Sequence, residues 1–211
     1  MKHILAFGDS NTWGLIPGTK ERYPYEKRWT GIIDSRLDGV RIIEEGLCGR
    51  TTVFEDELRP GRKGADLFPV ILESQAPIDG LIIMLGTNDC KSINNATSYT
   101  IGKGIERCLN IASIYLPADK ILLMSPIHLG ENVWRPDKDP EFNKESVKVS
   151  KELKSVYKEI AERRGHKFLA ASDYARAGEA DEEHLDEEGH RMLAEAILGL
   201  RDVKSGNIFS F

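Results

Sequence analysis

Ser10, Asp181 and His184 are the residues of this sequence whose types and spacing could do chemistry together. A serine hydroxyl is a weak nucleophile at neutral pH and needs a base to take its proton. His184 is the best candidate for that base. Asp181 stands three residues before it, so one turn of chain can bring the carboxylate onto the imidazole. That contact would fix the tautomer and stabilise the imidazolium formed during acyl transfer. Asp9 adjoins Ser10, but neighbouring residues at a strand end point apart, which leaves Asp181 as the preferred acid. Each residue also has an ordinary reading. Asp9-Ser10-Asn11 has the composition of a turn that caps a helix, and His184 lies in an acidic stretch that a surface would solvate. Among the other histidines, His190 falls inside a terminal helical segment where packing suffices. His3, His128 and His166 lack a carboxylate at useful spacing, although His128 follows a strand and could touch a substrate.

The elements that must hold these residues can be read from apolar runs and breakers. Residues 4–7 are a short apolar run stopped by Gly8 and Asp9, which reads as a buried strand of a parallel sheet. Ser10 lies just past its end, where open α/β sheets bind ligands. Residues 81–85 form a second such run, followed at once by Gly86-Thr87-Asn88-Asp89. Strands are also expected at 40–43, 120–124 and 167–170. Apolar residues at helical spacing predict helices over 28–37, 67–74, 100–116, 145–164 and 185–200, with Gly39, Pro117 and Gly165 as stops. Residues 13–25, 51–64 and 127–140 read as loops, the first and last lying over the strand ends. Five strands alternating with helices predict an α/β, doubly wound parallel sheet. Periodicity alone does not distinguish a flavodoxin-like strand order from a dinucleotide-binding one.

Strand–Gly8-Asp9-Ser10, strand–Gly86-Thr87-Asn88-Asp89 and Asp181-x-x-His184 occur in that order. With residues 42–52 (strand, then Gly46 to Gly49), they closely resemble the SGNH (GDSL-like) hydrolase family. Trp13-Gly14 and Arg28-Trp29-Thr30 make the chain most similar to the arylesterase/acyltransferase branch. The resemblance spans residues 4 to about 197. It implies a single five-stranded, flavodoxin-like three-layer sandwich with strand order 2-1-3-4-5. It also implies a serine esterase in which Ser10, Asp181 and His184 are catalytic. By family position the oxyanion donors are the backbone N–H of Ser10, the backbone N–H of Gly49 and the side-chain amide of Asn88. Read only as residues, Asn88 could equally cap a turn and Gly49 occupy a left-handed one, while Asp89 is expected to buttress its loop. Trp13, Leu15, Trp134 and the 91–99 loop are expected to shape the acyl and alcohol pockets. The expected substrates are short-chain, acetyl-type esters of aryl alcohols or carbohydrates, with acyl transfer to alcohols as a side activity. The alternatives are a lysophospholipase- or thioesterase-type lipid esterase, against which no long apolar lid segment is visible, and a non-catalytic α/β binding module.

Composition narrows the field further. The 211 residues suit one domain spanning 1–211, since single α/β domains reach ~200–250 residues. Such a chain buries on the order of 70% of its unfolded surface. With 40% hydrophobic and 30% charged residues it has ordinary globular composition. A net charge of −5 argues against nucleic acid or an anionic membrane as partner. The first apolar run is too short for a signal core, and no ~20-residue apolar span is present. The 3 cysteines lack Cys-x-x-Cys spacing, which suggests reduced thiols in a cytoplasmic protein. No His/Cys/Asp cluster has metal-ligand spacing and no glycine-rich phosphate loop follows a strand, so neither a metal nor a cofactor is expected. The expected partner is a small-molecule ester. Ile208, Phe209 and Phe211 in the tail suggest either a packed edge or the interface of a homo-oligomer.

Seven carboxylates lie within six residues of His184. They should raise its pKa, so that activity falls as pH drops and the imidazole becomes protonated. Most are expected to be solvated and screened by salt, with Asp181 alone acting at full strength. Neutralising Glu182, Glu183, Glu187 and Glu188 should then move the acid limb only modestly, and more at low salt.

Overall fold

Along the first strand, side chains alternate between two hydrophobic clusters, and that alternation sets the architecture. The computed structural model describes residues 1–200; Lys2–Gly8 forms β1. Leu5 and Phe7 enter one cluster, Ile4 and Ala6 the other. A strand buried on both faces belongs between two layers of helices. β2 (Val40–Gly46), β3 (Gly80–Met84), β4 (Ile121–Ser125) and β5 (Lys167–Ala170) complete the sheet. Its order is β2-β1-β3-β4-β5, with every neighbouring pair parallel. The α/β class and the flavodoxin-like order are those expected.

Three helices cover the Leu5/Phe7 face: α3 (Gly64–Gln75), α4 (Ser98–Ala112) and α5 (Lys144–Arg164). They contribute Phe68 and Leu72, Ile105 and Leu109, and Leu153 and Tyr157 respectively. Phe68 stacks on Phe7 with ring centroids 4.2 Å apart. The opposite face is closed by α2 (Trp29–Arg36) and α6 (Glu187–Gly199), through Trp29, Ile33, Leu193 and Ile197. Leu81 and Ile82 of β3 point to opposite faces and are fully buried. Truncating either to Ala should cost about 2–5 kcal/mol.

Element limits differ from the sequence reading in ways the contacts explain. β2 runs on to Gly46, because Gly46 pairs with Gly8 of β1. Glu44, just past the end of the expected strand, is held there: its carboxylate accepts from Thr30, Arg28 and Arg22. α4 begins earlier because Thr97 caps it, its hydroxyl accepting from the Thr100 N–H at 3.2 Å. Residues 113–116 leave the helix in a turn. α3 starts at Gly64, whose N–H bonds the Thr51 carbonyl at 3.1 Å. No helix of the described residues is long and apolar enough to cross a membrane. Ile208, Phe209 and Phe211 lie outside the described residues.

Candidate active site

β1 is flanked by β2 and β3, so the chain leaves it in one direction and returns on the other side. The crevice beyond the carboxyl ends of β1 and β3 is the place where such sheets bind ligands. Ser10 and Asn88 stand there, one past each strand. Ser10 opens the one-turn helix α1 (Ser10–Trp13), with Asp9 as N-cap accepting from the Asn11 N–H at 3.0 Å. Close approach of α1 to the sheet depends on Gly46, where a Cβ would sit 2.2 Å from the Trp13 nitrogen.

The three residues that the sequence put forward for nucleophile, base and acid come together. His184 Nε2 lies 2.8 Å from Ser10 Oγ, and Nδ1 lies 2.9 Å from Asp181 Oδ2. A carboxylate can only accept, so Nδ1 carries the proton and Nε2 is free to accept from the serine hydroxyl. Asp181 is itself held: Oδ1 accepts the N–H groups of Glu183 and His184, each at 3.0 Å, and Oδ2 accepts that of Gly18 at 2.8 Å. Burial would raise the Asp181 carboxyl, but these bonds and the imidazole hold it down at about 2. Glu182 between them has φ +59, a left-handed turn unusual for a side chain with a Cβ. It is fixed by bonds to the 127–140 loop: its carboxylate accepts from the Asn132 N–H at 2.7 Å and pairs with Lys138 at 3.0 Å. The turn leaves Asp181, Glu183 and His184 all buried.

Glu183 overturns the expectation that the acidic run, Asp181 apart, is a solvated face. It is only 4% exposed, and its carboxylate lies 3.6 Å from His184 Nε2. Burial pushes its own pKa up, with Asp139 and Asp181 adding and His184 and Lys91 opposing. For His184, burial pushes the pKa down. The Glu183 charge, the Asp181 hydrogen bond and charge, and Asp9 outweigh it and hold the imidazole above its ordinary value. The direction is the one expected from the sequence, but the buried Glu183 charge contributes to it beside Asp181.

The Gly49 and Asn88 loops are locked to each other and to β1. Asp89 accepts the Thr52 N–H with both oxygens at 3.0 Å and also takes the Thr52 hydroxyl. Burial raises that carboxyl to about 7. Asn88 donates from Nδ2 to the Arg50 carbonyl at 3.2 Å, using one of its two N–H bonds. The Arg50 guanidinium lies over the Phe7 ring and donates to the Gly8 carbonyl at 2.8 Å. Gly49 adopts φ +83, a conformation that favours glycine. Among the described residues, no acceptor stands against the backbone N–H of Ser10 or of Gly49.

Ser10, Gly49, Asn88 and His184 border one small cavity of about 140 Å³. Leu15 lines it as expected; Trp13 and Trp134 do not. The Trp13 ring packs under the Arg22 guanidinium, and the Trp134 ring lies beneath Lys144. Apart from Cys48, the rest of the wall is charged, with Arg59, Lys91, Asp139, Glu141 and Glu183. A wider cleft of about 460 Å³ adjoins it through Gly49, Asn88, Lys91 and Glu141. His128 opens on a different cavity, beside Lys151 and Ser172. His190 is buried against Trp29 and Tyr23, where burial lowers its pKa to about 3 and keeps it neutral.

Sequence reasoning passed over Asn11. Its Oδ1 accepts the Leu185 N–H at 2.8 Å, its Nδ2 donates to the Glu183 carbonyl at 3.4 Å, and its carbonyl takes the Trp29 indole N–H at 3.2 Å. It thereby ties the serine turn to the histidine turn. Nothing but its adjacency to Ser10 marks it in the sequence. No group of three or more His, Cys, Asp or Glu side chains among the described residues is arranged to hold a metal ion.

Residues 6–192 match the GDSL-like Lipase/Acylhydrolase family. The chain is similar in structure to Est24, a carbohydrate acetylesterase from Sinorhizobium meliloti. The two are 38% identical with a TM-score of 0.84, over 93% of this chain and 96% of that one. It is also similar to the aryl esterase of M. smegmatis, at 32% identity and a TM-score of 0.83, over 93% and 96% of the two chains. No curated protein matches.

Proposed function

The chain belongs to the GDSL-like lipase/acylhydrolase family and is an ester-hydrolysing enzyme, and on that premise we propose that it works through an acyl-Ser10 intermediate on short, acetyl-type esters of carbohydrates or aryl alcohols. The observation that carries the reading is the continuous chain from Ser10 Oγ to His184 to Asp181, at 2.8 and 2.9 Å.

In the proposed mechanism Ser10 Oγ attacks the ester carbonyl as His184 Nε2 takes its proton. Asp181 keeps the imidazole in the required tautomer and stabilises the imidazolium. The N–H groups of Ser10 and Gly49 and the free N–H of Asn88 Nδ2 receive the developing oxyanion. The alcohol leaves with the proton from Nε2, and water deacylates the serine with His184 again as base. Acyl transfer would follow the same route with an alcohol in place of water.

The cavity beside Ser10, at about 140 Å³, is below the ~300 Å³ at which pockets enclose drug-sized ligands and suits a short acyl group, while the adjoining cleft of about 460 Å³ has room for the alcohol. The charged wall and the displaced tryptophans favour a hydroxyl-rich alcohol over an aryl one. Three free thiols, Cys48, Cys90 and Cys108, agree with a cytoplasmic protein. A panel of nitrophenyl esters from acetate to octanoate, run beside acetylated sugars, tests the assignment. Acetate should at least match butyrate, and octanoate should be poor. Faster turnover on octanoate would favour a lysophospholipase- or thioesterase-type enzyme instead.

A further inference from the structure

Glu183 has no part in the steps above, yet its buried carboxylate lies 3.6 Å from Nε2 of His184, the nitrogen that handles every proton in them. The turn around it is held by Asp181, Asn11 and the Glu183 main chain. Among the described residues no hydrogen bond ends on its carboxylate oxygens, and its one ion-pair neighbour is His184. Its side chain forms part of the wall of the cavity beside Ser10. Burying a carboxylate without such bonds is unfavourable, which points to a partner that enters the cavity.

The second half of the reaction brings one. Once Ser10 is acylated, the incoming nucleophile must put its oxygen within about 2.6–3.2 Å of Nε2. An oxygen about 2.8 Å from both Nε2 and Glu183 Oε1 sees the two, 3.6 Å apart, at an angle of about 80°. The H–O–H angle of water is about 105°, so each hydrogen bond bends by only about 12°, well within good geometry. A water molecule can therefore bond both acceptors at once. An alcohol has a single O–H, which Nε2 takes, and it meets the carboxylate with its alkyl group.

We infer that Glu183 is a further catalytic residue of deacylation: it accepts the second hydrogen of the attacking water while His184 takes the first, and so favours water over alcohols as acyl acceptor. The inference rests on the acyl-Ser10 reading. In the step itself the water oxygen bonds to the acyl carbon and its first proton passes to Nε2. The tetrahedral adduct then expels Ser10 Oγ, which recovers that proton. The second hydrogen leaves with the product acid, and Glu183 ends in the protonation state in which it began.

Partitioning of the acyl enzyme tests this. The enzyme is turned over on p-nitrophenyl acetate in water containing ethanol, and ethyl acetate and acetate are quantified. Water and ethanol share the same base, so their ratio is insensitive to the protonation of His184. Glu183→Ile should raise the ethyl acetate to acetate ratio about tenfold, the effect of one lost hydrogen bond to a charged group. Its nitrophenol burst should remain stoichiometric while steady turnover slows. Glu183→Gln keeps a carbonyl acceptor and should fall between the two. The burst counts only folded, competent sites; if the Ile variant shows none, the Gln variant carries the test. An unchanged or lowered ratio with a full burst overturns the inference and leaves Glu183 acting on His184 by charge alone. A wild-type enzyme without a burst, together with an active Ser10→Ala variant, removes the acyl-serine reading on which the inference stands.

Discussion

Replacing Glu183 with Gln should move the acid limb of kcat/KM to lower pH. Only the neutral imidazole can take the Ser10 proton, and its pKa is held above the ordinary value, so activity is lost as pH falls through that raised pKa. The carboxylate lies 3.6 Å from Nε2. At that separation a unit charge contributes about 1 kcal/mol in bulk water and about 4–5 kcal/mol at an effective dielectric of 20. At 1.36 kcal/mol per pH unit these bounds are roughly one and three units. Burial raises the pKa of Glu183 itself, so near neutrality it carries only part of its charge, and the two groups titrate as a coupled pair. The expected shift is therefore at the lower bound, about one unit downward. Because the pair is buried, the shift should be nearly the same at low and high salt. The assay is kcat/KM from pH 5 to 10 at two ionic strengths, for wild type, Glu183→Gln and the double variant Glu187→Gln/Glu188→Gln. The last two glutamates are exposed and paired with Lys27 and Arg191, and their removal should leave the midpoint nearly in place. A midpoint that stays put in Glu183→Gln, or moves upward, would refute the assignment of the raised pKa to this contact.

Two further outcomes follow from the same geometry. Asn88→Ala should lower kcat about 10²–10³-fold, the usual effect of losing one oxyanion donor; a loss below about threefold, or ~0.7 kcal/mol of barrier, would make Asn88 a turn residue only. Asn11→Ala removes the buried acceptor of the Leu185 N–H and should destabilise the fold by about 1–3 kcal/mol in denaturant unfolding; unchanged stability would mean the two turns hold together without it.

Much of the fold was legible because the signals were local. The last strand, Lys167–Ala170, and the helix Lys144–Arg164 before it match the sequence reading almost residue for residue. Uninterrupted helical spacing ends there at Gly165, with φ +72. The strand order came from the family resemblance, since periodicity carries no information about which strands are neighbours. β2 was expected to end at Ile43, where the apolar run stops, whereas Arg22, Arg28 and Thr30 from elsewhere in the chain bind the Glu44 carboxylate and the strand continues. Ser10, Asp181 and His184 could be picked out by type and spacing. Which carboxylates of the run Asp181-Glu182-Glu183 turn inward could not, because that depends on the left-handed turn at Glu182 and on the loop that holds it. Trp13 and Trp134 were assigned to the pocket on aromatic character and on their place in loops near the strand ends, whereas Arg22 and Lys144 stack on those rings.

The central claim is that Ser10 becomes acylated, and mass spectrometry tests it most directly. Wild-type enzyme treated with a fluorophosphonate, or quenched in acid during turnover of p-nitrophenyl acetate, is digested and its adduct located. The account predicts a single adduct on the peptide containing Ser10, with labelling and turnover both abolished in Ser10→Ala. An adduct on a different serine, or full activity in the alanine variant, would contradict it.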